Sequence, residues 1–114
     1  MPPSLADRLN DMLMAIEESE ALLTGVSKEE LAKDRVRRLA FERLLEILSE
    51  ASRHIPEDLR TTVDVPWRDI ADIGSLLRHA YHRVDPDTLW YIAKNDLPFL
   101  KAAIQELIAR SGNE

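Results

Sequence analysis

Apolar positions along this chain recur at the three-and-four spacing of a helix, and nowhere do they alternate as a half-buried strand requires. From Leu5 the pattern runs through Leu9, Met12, Leu13, Ile16 and Leu23 to Thr24-Gly25. Ser4 followed by Asp7 has the form of a capping box at its start, and the glycine is a stop signal. A second run contains Leu31, Val36, Leu39, Ala40, Leu44, Ile47, Leu48 and Ala51. It follows another capping-box pair, Ser27 and Glu30, and predicts one long helix to about His54. Pro56 to Arg60 reads as a short helical turn, and Thr61 to Asp64 as a linker.

Pro66 supplies the fixed φ of a first helical turn and opens a third helix. Asp69 and Asp72 fall in its early turns, where the helix dipole favours negative charge, while Ile70, Ile73 and Leu77 share its core face. Asp85-Pro86-Asp87 starts the last helix, whose stripe is Leu89, Ile92, Leu100, Ile104 and Leu107. Pro98 removes one donor from that helix and predicts a kink near Asn95 to Leu97. The expected fold is all-α, an antiparallel up-and-down bundle of four main helices, as one domain spanning residues 1–114.

Composition agrees with that pattern. The 114 residues are 45% apolar and 32% charged with only three glycines, which suits helices around one modest core. Cysteine is absent, so neither disulfides nor thiolate metal sites enter. The first residues have neither a basic stretch nor an apolar one, and no apolar run approaches the roughly twenty residues of a spanning helix, so a cytoplasmic protein away from membranes is expected. A net charge of −6 argues against a general nucleic-acid coat but leaves room for a local phosphate site. Arg35, Arg37, Arg38 and Arg43 read as a solvated helix face, whereas Arg78 and Arg83 flank His79.

Candidate chemistry lies at that flank. His79 and Tyr81 sit beside Arg78, His82 and Arg83 near the expected end of the third helix. An imidazole moves protons near neutral pH, and a guanidinium holds a phosphate through paired donors. His54 is expected to decorate a helix C-terminus, and Trp67 and Trp90 to serve packing or a subunit contact. Glu42, Glu46 and Glu50 form a row of like charges on one helix face that needs cationic partners. No zinc spacing, Glu-x-x-His pair, glycine-rich phosphate loop or nucleophile elbow occurs, so neither a metal nor a cofactor is expected.

Four stretches in this order resemble the HepT-like toxins of the HEPN superfamily: Pro66-Trp67-Arg68-Asp69-Ile70, His79-Ala80-Tyr81, Val84-Asp85 and Asn95-Asp96-Leu97-Pro98. Residues 42–51, Glu42-Arg43-Leu44-Leu45-Glu46-Ile47-Leu48-Ser49-Glu50-Ala51, resemble that family's Glu-rich second helix, so the likeness covers nearly the whole chain. The resemblance implies a helical bundle that forms a homodimer and cleaves RNA without a metal. It also implies a nucleotidyltransferase-fold antitoxin that neutralises the toxin by adding AMP groups to a tyrosine. His79 matches the family's catalytic histidine and Tyr81 the modifiable tyrosine.

At one position the chain departs from the family pattern. Five residues before the histidine the family has an arginine, and here Gly74 stands there, followed by Ser75 in place of the usual asparagine. Arg78 lies one turn downstream on the same face, and helical side chains lean toward the N-terminus, so its guanidinium is expected over Gly74. The resemblance thus carries two readings. In one the protein is a ribonuclease toxin with His79 and Arg78 at the site and Arg83 and His82 as phosphate contacts. In the other it is a catalytically silent homologue that binds a nucleotidyltransferase and accepts AMP at Tyr81.

Overall fold

The computed structural model describes residues 3–78 and 85–111, and among them every regular element is helical. The α-helices of these residues are α1 (Leu5–Leu23), α2 (Lys28–Lys33), α3 (Arg35–Ser52), α4 (Glu57–Arg60), α5 (Trp67–Arg78), α6 (Pro86–Tyr91) and α7 (Leu97–Ser111). A π-helical turn, Ile92–Asp96, joins α6 to α7.

Local chemistry sets most of the boundaries. The Ser4 hydroxyl accepts from the Asp7 N–H at 3.1 Å while the Asp7 carboxylate accepts from the Ser4 N–H at 2.9 Å, which completes the first capping box. Gly25, at φ 73°, takes the left-handed conformation beyond the end of α1. Ser27 caps α2 through the Glu30 N–H at 3.1 Å. Asp85 caps α6 through the Asp87 N–H at 3.0 Å, with Pro86 in the first turn.

Two features depart from the sequence expectation or sharpen it. The long second helix is broken at Asp34, which closes α2 and opens α3, its carboxylate accepting from the Arg37 N–H at 3.0 Å and from Arg37 Nε at 3.2 Å. A short acidic side chain that satisfies the next turn's amides competes with helix continuation, and here it wins over an unbroken apolar stripe. The break turns α3, so Val36 and Leu39 are 78% and 44% exposed, while Phe41, Leu45 and Ser52 join the expected Leu48 and Ala51 on the buried face. The kink expected near Pro98 takes the form of the π turn. The Leu97 N–H reaches back to the Ile92 carbonyl, and one extra residue accommodates the proline ring and its missing donor.

Helix α1 lies between α3 and α7. The Arg37 guanidinium meets the Leu22 carbonyl, whereas Arg8 and Asp11 lie beside Glu46 and Glu50, so α1 and α3 run antiparallel. Lys101 near the start of α7 pairs with Glu20 near the end of α1 at 2.8 Å, so α7 also runs counter to α1. Met12, Ile16, Phe41, Leu45, Leu89, Leu100 and Ile104 are among the buried side chains of the one shared core. Helix α5 packs on the last turns of α3, and a Lys28–Asp87 pair at 3.1 Å links α2 to α6.

Candidate functional site

Helix α5 carries two faces of different chemistry. Ile70 is buried, and Ile73 and Leu77 pack partly buried against the core, as their spacing predicts. At 100° per residue, Arg68, Ala71, Ser75 and Arg78 occupy another arc of roughly 80° on the same helix. Gly74 lies at the seam with α3 and is buried.

The seam is a close backbone approach built on one hydroxyl. Ser49, 1% exposed, donates to the Ala71 carbonyl at 2.9 Å and accepts from the Gly74 N–H at 3.1 Å. A Cβ on residue 74 would stand 2.5 Å from Ser49 Oγ and 3.1 Å from Ser49 Cβ. Any side chain at 74 would therefore push against α3, and glycine is what allows the hydroxyl to bridge the two helices. Arg53 extends the contact, its Nη2 donating to the same Ala71 carbonyl at 3.1 Å.

Arg78 leans back along α5 in the direction its spacing predicts. Its Nη1 lies 3.1 Å from where a Cβ on Gly74 would be, so the guanidinium covers the position at which the resembling family has its arginine. Arg78 is exposed, and no carboxylate among the described residues pairs with it. His79, Tyr81, His82 and Arg83 lie outside the described residues.

The remaining charged candidates sort themselves by partner. Arg38 is 7% exposed and donates to the Ala32 carbonyl at 3.1 Å, and Arg37 binds the Leu22 carbonyl and Asp34, so these two hold helices together rather than forming a solvated face. Each member of the glutamate row has a partner: Glu42 faces Arg38 at 3.8 Å, Glu46 faces Arg43 at 3.1 Å, and Glu50 faces His54 at 3.2 Å. Burial pushes the Glu42 carboxyl above the usual range despite the pull of Arg38. Asp96 is also raised, by burial first and by the negative charge of Asp69 second, so the Asn95-Asp96 and Arg68-Asp69 motifs come together in space. Trp67 donates its indole N–H to the Arg60 carbonyl at 2.9 Å, and Trp90 packs on the core beneath Lys94 Nζ, 4.7 Å from its ring centre. Among the described residues no group of three His, Asp or Glu side chains is gathered for a metal ion, and no helix is long and apolar enough to cross a membrane.

Sequence reasoning found Arg78 through its spacing. It passed over Ser49, and Arg53, expected as a partner of the glutamate row, binds the Ala71 carbonyl instead, because both roles depend on a carbonyl 22 and 18 positions away in the chain. No local pattern announces such a contact.

The described residues form an all-helical bundle in which the exposed Arg78 precedes His79 in the sequence. Residues 12–107 match the family described as Ribonuclease HepT-like, and the chain belongs to that family. It is 38% identical over 108 residues to "Probable ribonuclease HepT" of Thermococcus cleftensis, covering 94% of this chain and 98% of that protein. It is 32% identical over 98 residues to "Putative RNase MJ1380" of Methanocaldococcus jannaschii, covering 85% and 90% of the two chains. A third relative, "Putative RNase TTE0752" of Caldanaerobacter subterraneus subsp. tengcongensis, is 33% identical over 87 residues, covering 75% and 78%. None of the solved structures matches the chain significantly.

Proposed function

We propose that this protein is a metal-independent endoribonuclease and the toxin of a toxin–antitoxin pair. Membership of the HepT-like ribonuclease family supports the activity. The observation that carries the assignment to this chain's own residues is the Arg78 guanidinium folded over Gly74, one residue before His79. It supplies a cation where the family motif's arginine has been replaced.

In the reaction, His79 takes the proton of a ribose 2′-hydroxyl as that oxygen attacks the adjacent phosphorus. The O2′–P bond forms, the P–O5′ bond breaks, and a second imidazole returns a proton to the leaving 5′ oxygen. The products are a 2′,3′-cyclic phosphate and a free 5′-hydroxyl. Arg78 binds the non-bridging oxygens, whose charge builds up in the transition state. An imidazole with a pKa of about 6.5 serves in either proton role, and such transfer contributes roughly 10²–10⁴ in rate. Since one chain brings one His79, the acid and the base come from two copies in a homodimer. Tyr81, two residues on, is the position at which a nucleotidyltransferase-fold antitoxin adds AMP groups. Arg83 and His82 hold neighbouring phosphates.

The test is cleavage of a single-stranded RNA by purified protein in the presence of a chelator. Wild type cuts, His79→Ala is silent, and Arg78→Ala loses roughly 10²–10³ in rate, the scale of removing one transition-state charge contact. Full activity of Arg78→Ala would reject the role of that arginine.

The Gly74–Ser49 seam favours a second reading, because it leaves no room for any side chain at the motif position. A catalytically silent homologue would keep the fold, the partner surface and AMP acceptance at Tyr81 without cutting RNA. Growth arrest on production in cells that disappears with His79→Ala rejects that alternative.

A further inference from the structure

Beside the start of α5 lies an open hollow of about 640 Å³, within the size range of small-ligand sites. Arg60 and Arg68 line it together with Trp67, Glu57 and Asp64. No carboxylate among the described residues pairs with either arginine, and Arg60 Nε is shut off from solvent without a hydrogen-bond acceptor. Ala71 forms part of the wall, and its carbonyl receives Arg53. Arg68 and Arg78 sit on one arc of α5 about 15 Å apart along the axis at 1.5 Å per residue, with Arg53 between them. In a chain of net charge −6, arginines 60, 68, 53 and 78 thus follow one another along this side of α5, without an ion-pair partner among the described residues, as far as Arg78, the residue that precedes His79 in the sequence.

We propose that this hollow is a nucleotide subsite, which holds a base and phosphate of single-stranded RNA a few nucleotides from the bond that is cut. The proposal rests on the ribonuclease reading for its substrate. Arg60 and Arg68 take the phosphate, and the Trp67 ring gives the base an apolar wall, the combination by which proteins hold unpaired strands. Glu57 and Asp64 repel a bare phosphate cluster but accept hydrogen bonds from exocyclic amino groups, so the subsite prefers cytosine, adenine or guanine over uracil. The chemistry is that of a base recognised at its edge, not of a helical backbone recognised by shape.

The probe is a fluorescent single-stranded 2′-O-methyl oligoribonucleotide, which cannot be cut because it lacks the free hydroxyl. Arg60→Ala with Arg68→Ala weakens binding by roughly tenfold or more, the loss expected for charged hydrogen bonds. The same pair lowers the slope of log affinity against log salt by about 0.7 for each phosphate that is no longer neutralised. Arg110→Ala, whose side chain pairs with Glu106 on α7, leaves both quantities as in wild type. If helical circular dichroism shows that the double variant does not fold, the exposed Arg68→Ala alone carries the test and lowers the slope by the share of one phosphate. Glu57→Gln with Asp64→Asn narrows the difference between oligocytidine and oligouridine. Unchanged affinity and salt slope in folded arginine variants would overturn the subsite. Equal wild-type affinity for oligocytidine and oligouridine would overturn recognition of the base edge. Wild type that binds through the arginines yet cuts no RNA rejects the nuclease reading alone, and wild type that cuts while the arginine variants bind normally rejects the subsite alone.

Discussion

Replacing Gly74 by alanine adds one carbon to the seam between α3 and α5. On an open helix face this change stabilises by about 1 kcal/mol, through lower backbone entropy in the unfolded chain and better helix propensity. Here the new Cβ would stand 2.5 Å from Ser49 Oγ, about 1 Å inside ordinary contact distance. The hydroxyl is held by bonds to the Ala71 carbonyl at 2.9 Å and from the Gly74 N–H at 3.1 Å. Either those bonds break, at about 0.5–1.5 kcal/mol each, or the helices separate, an overpacking strain of about 1–3 kcal/mol. Set against the propensity gain, Gly74→Ala should cost about 1 kcal/mol net, within a range of about 0–2 kcal/mol. Urea unfolding followed by circular dichroism measures this as a lower midpoint with an unchanged slope. Adding Ser49→Ala removes the atom at 2.5 Å, so the double variant should recover part of the loss, giving a coupling energy of about 0.5–2 kcal/mol. Gly74→Ala more stable than wild type would refute the close-approach account. The same Cβ meets Arg78 Nη1 at 3.1 Å, so the variant should also cut RNA more slowly. Gly74→Arg, which puts back the family's residue, should destabilise at least as much as alanine.

Other outcomes follow from the same contacts. Asp96 has a folded-state pKa raised by burial and by Asp69, so its stability contribution is fully present below the unfolded carboxylate value and is lost as pH rises through the folded one. Asp96→Asn should therefore melt higher than wild type at pH 7, with the gap closing on acidification below the ordinary range; a gap independent of pH would contradict this. Ser27→Ala removes the α2 cap and should cost about 1 kcal/mol in denaturant unfolding. Arg38→Ala takes a buried stem and a charged donor from the Ala32 carbonyl and from Glu42 and should cost about 2–3 kcal/mol, read from the urea midpoint.

Much of the helix inventory is legible from short stretches, because its causes are short-range. Ser4 with Asp7, Ser27 and Asp85-Pro86 each satisfy or remove backbone donors within one turn of themselves, and Gly25 takes the left-handed conformation that ends α1. Pro98 likewise announces an interruption, although the π turn that answers it depends on how the chain around it packs. Asp34 shows where local reading fails: its cap competed with an apolar stripe of equal plausibility, and only burial of Phe41, Leu45 and Leu48 against α1 decides which face of α3 turns inward.

For the candidate site the division falls at the same place. Spacing alone puts Arg78 over Gly74, since both belong to one helix whose geometry is fixed by its own hydrogen bonds. The order of motifs along the chain likewise leads to the family before any coordinates exist. The reason position 74 must be glycine, and the approach of Arg53 and Arg60 to α5 and its Arg68, come only from tertiary packing. Such contacts join residues far apart in the chain, and their positions are set by how a whole core closes rather than by any turn of backbone.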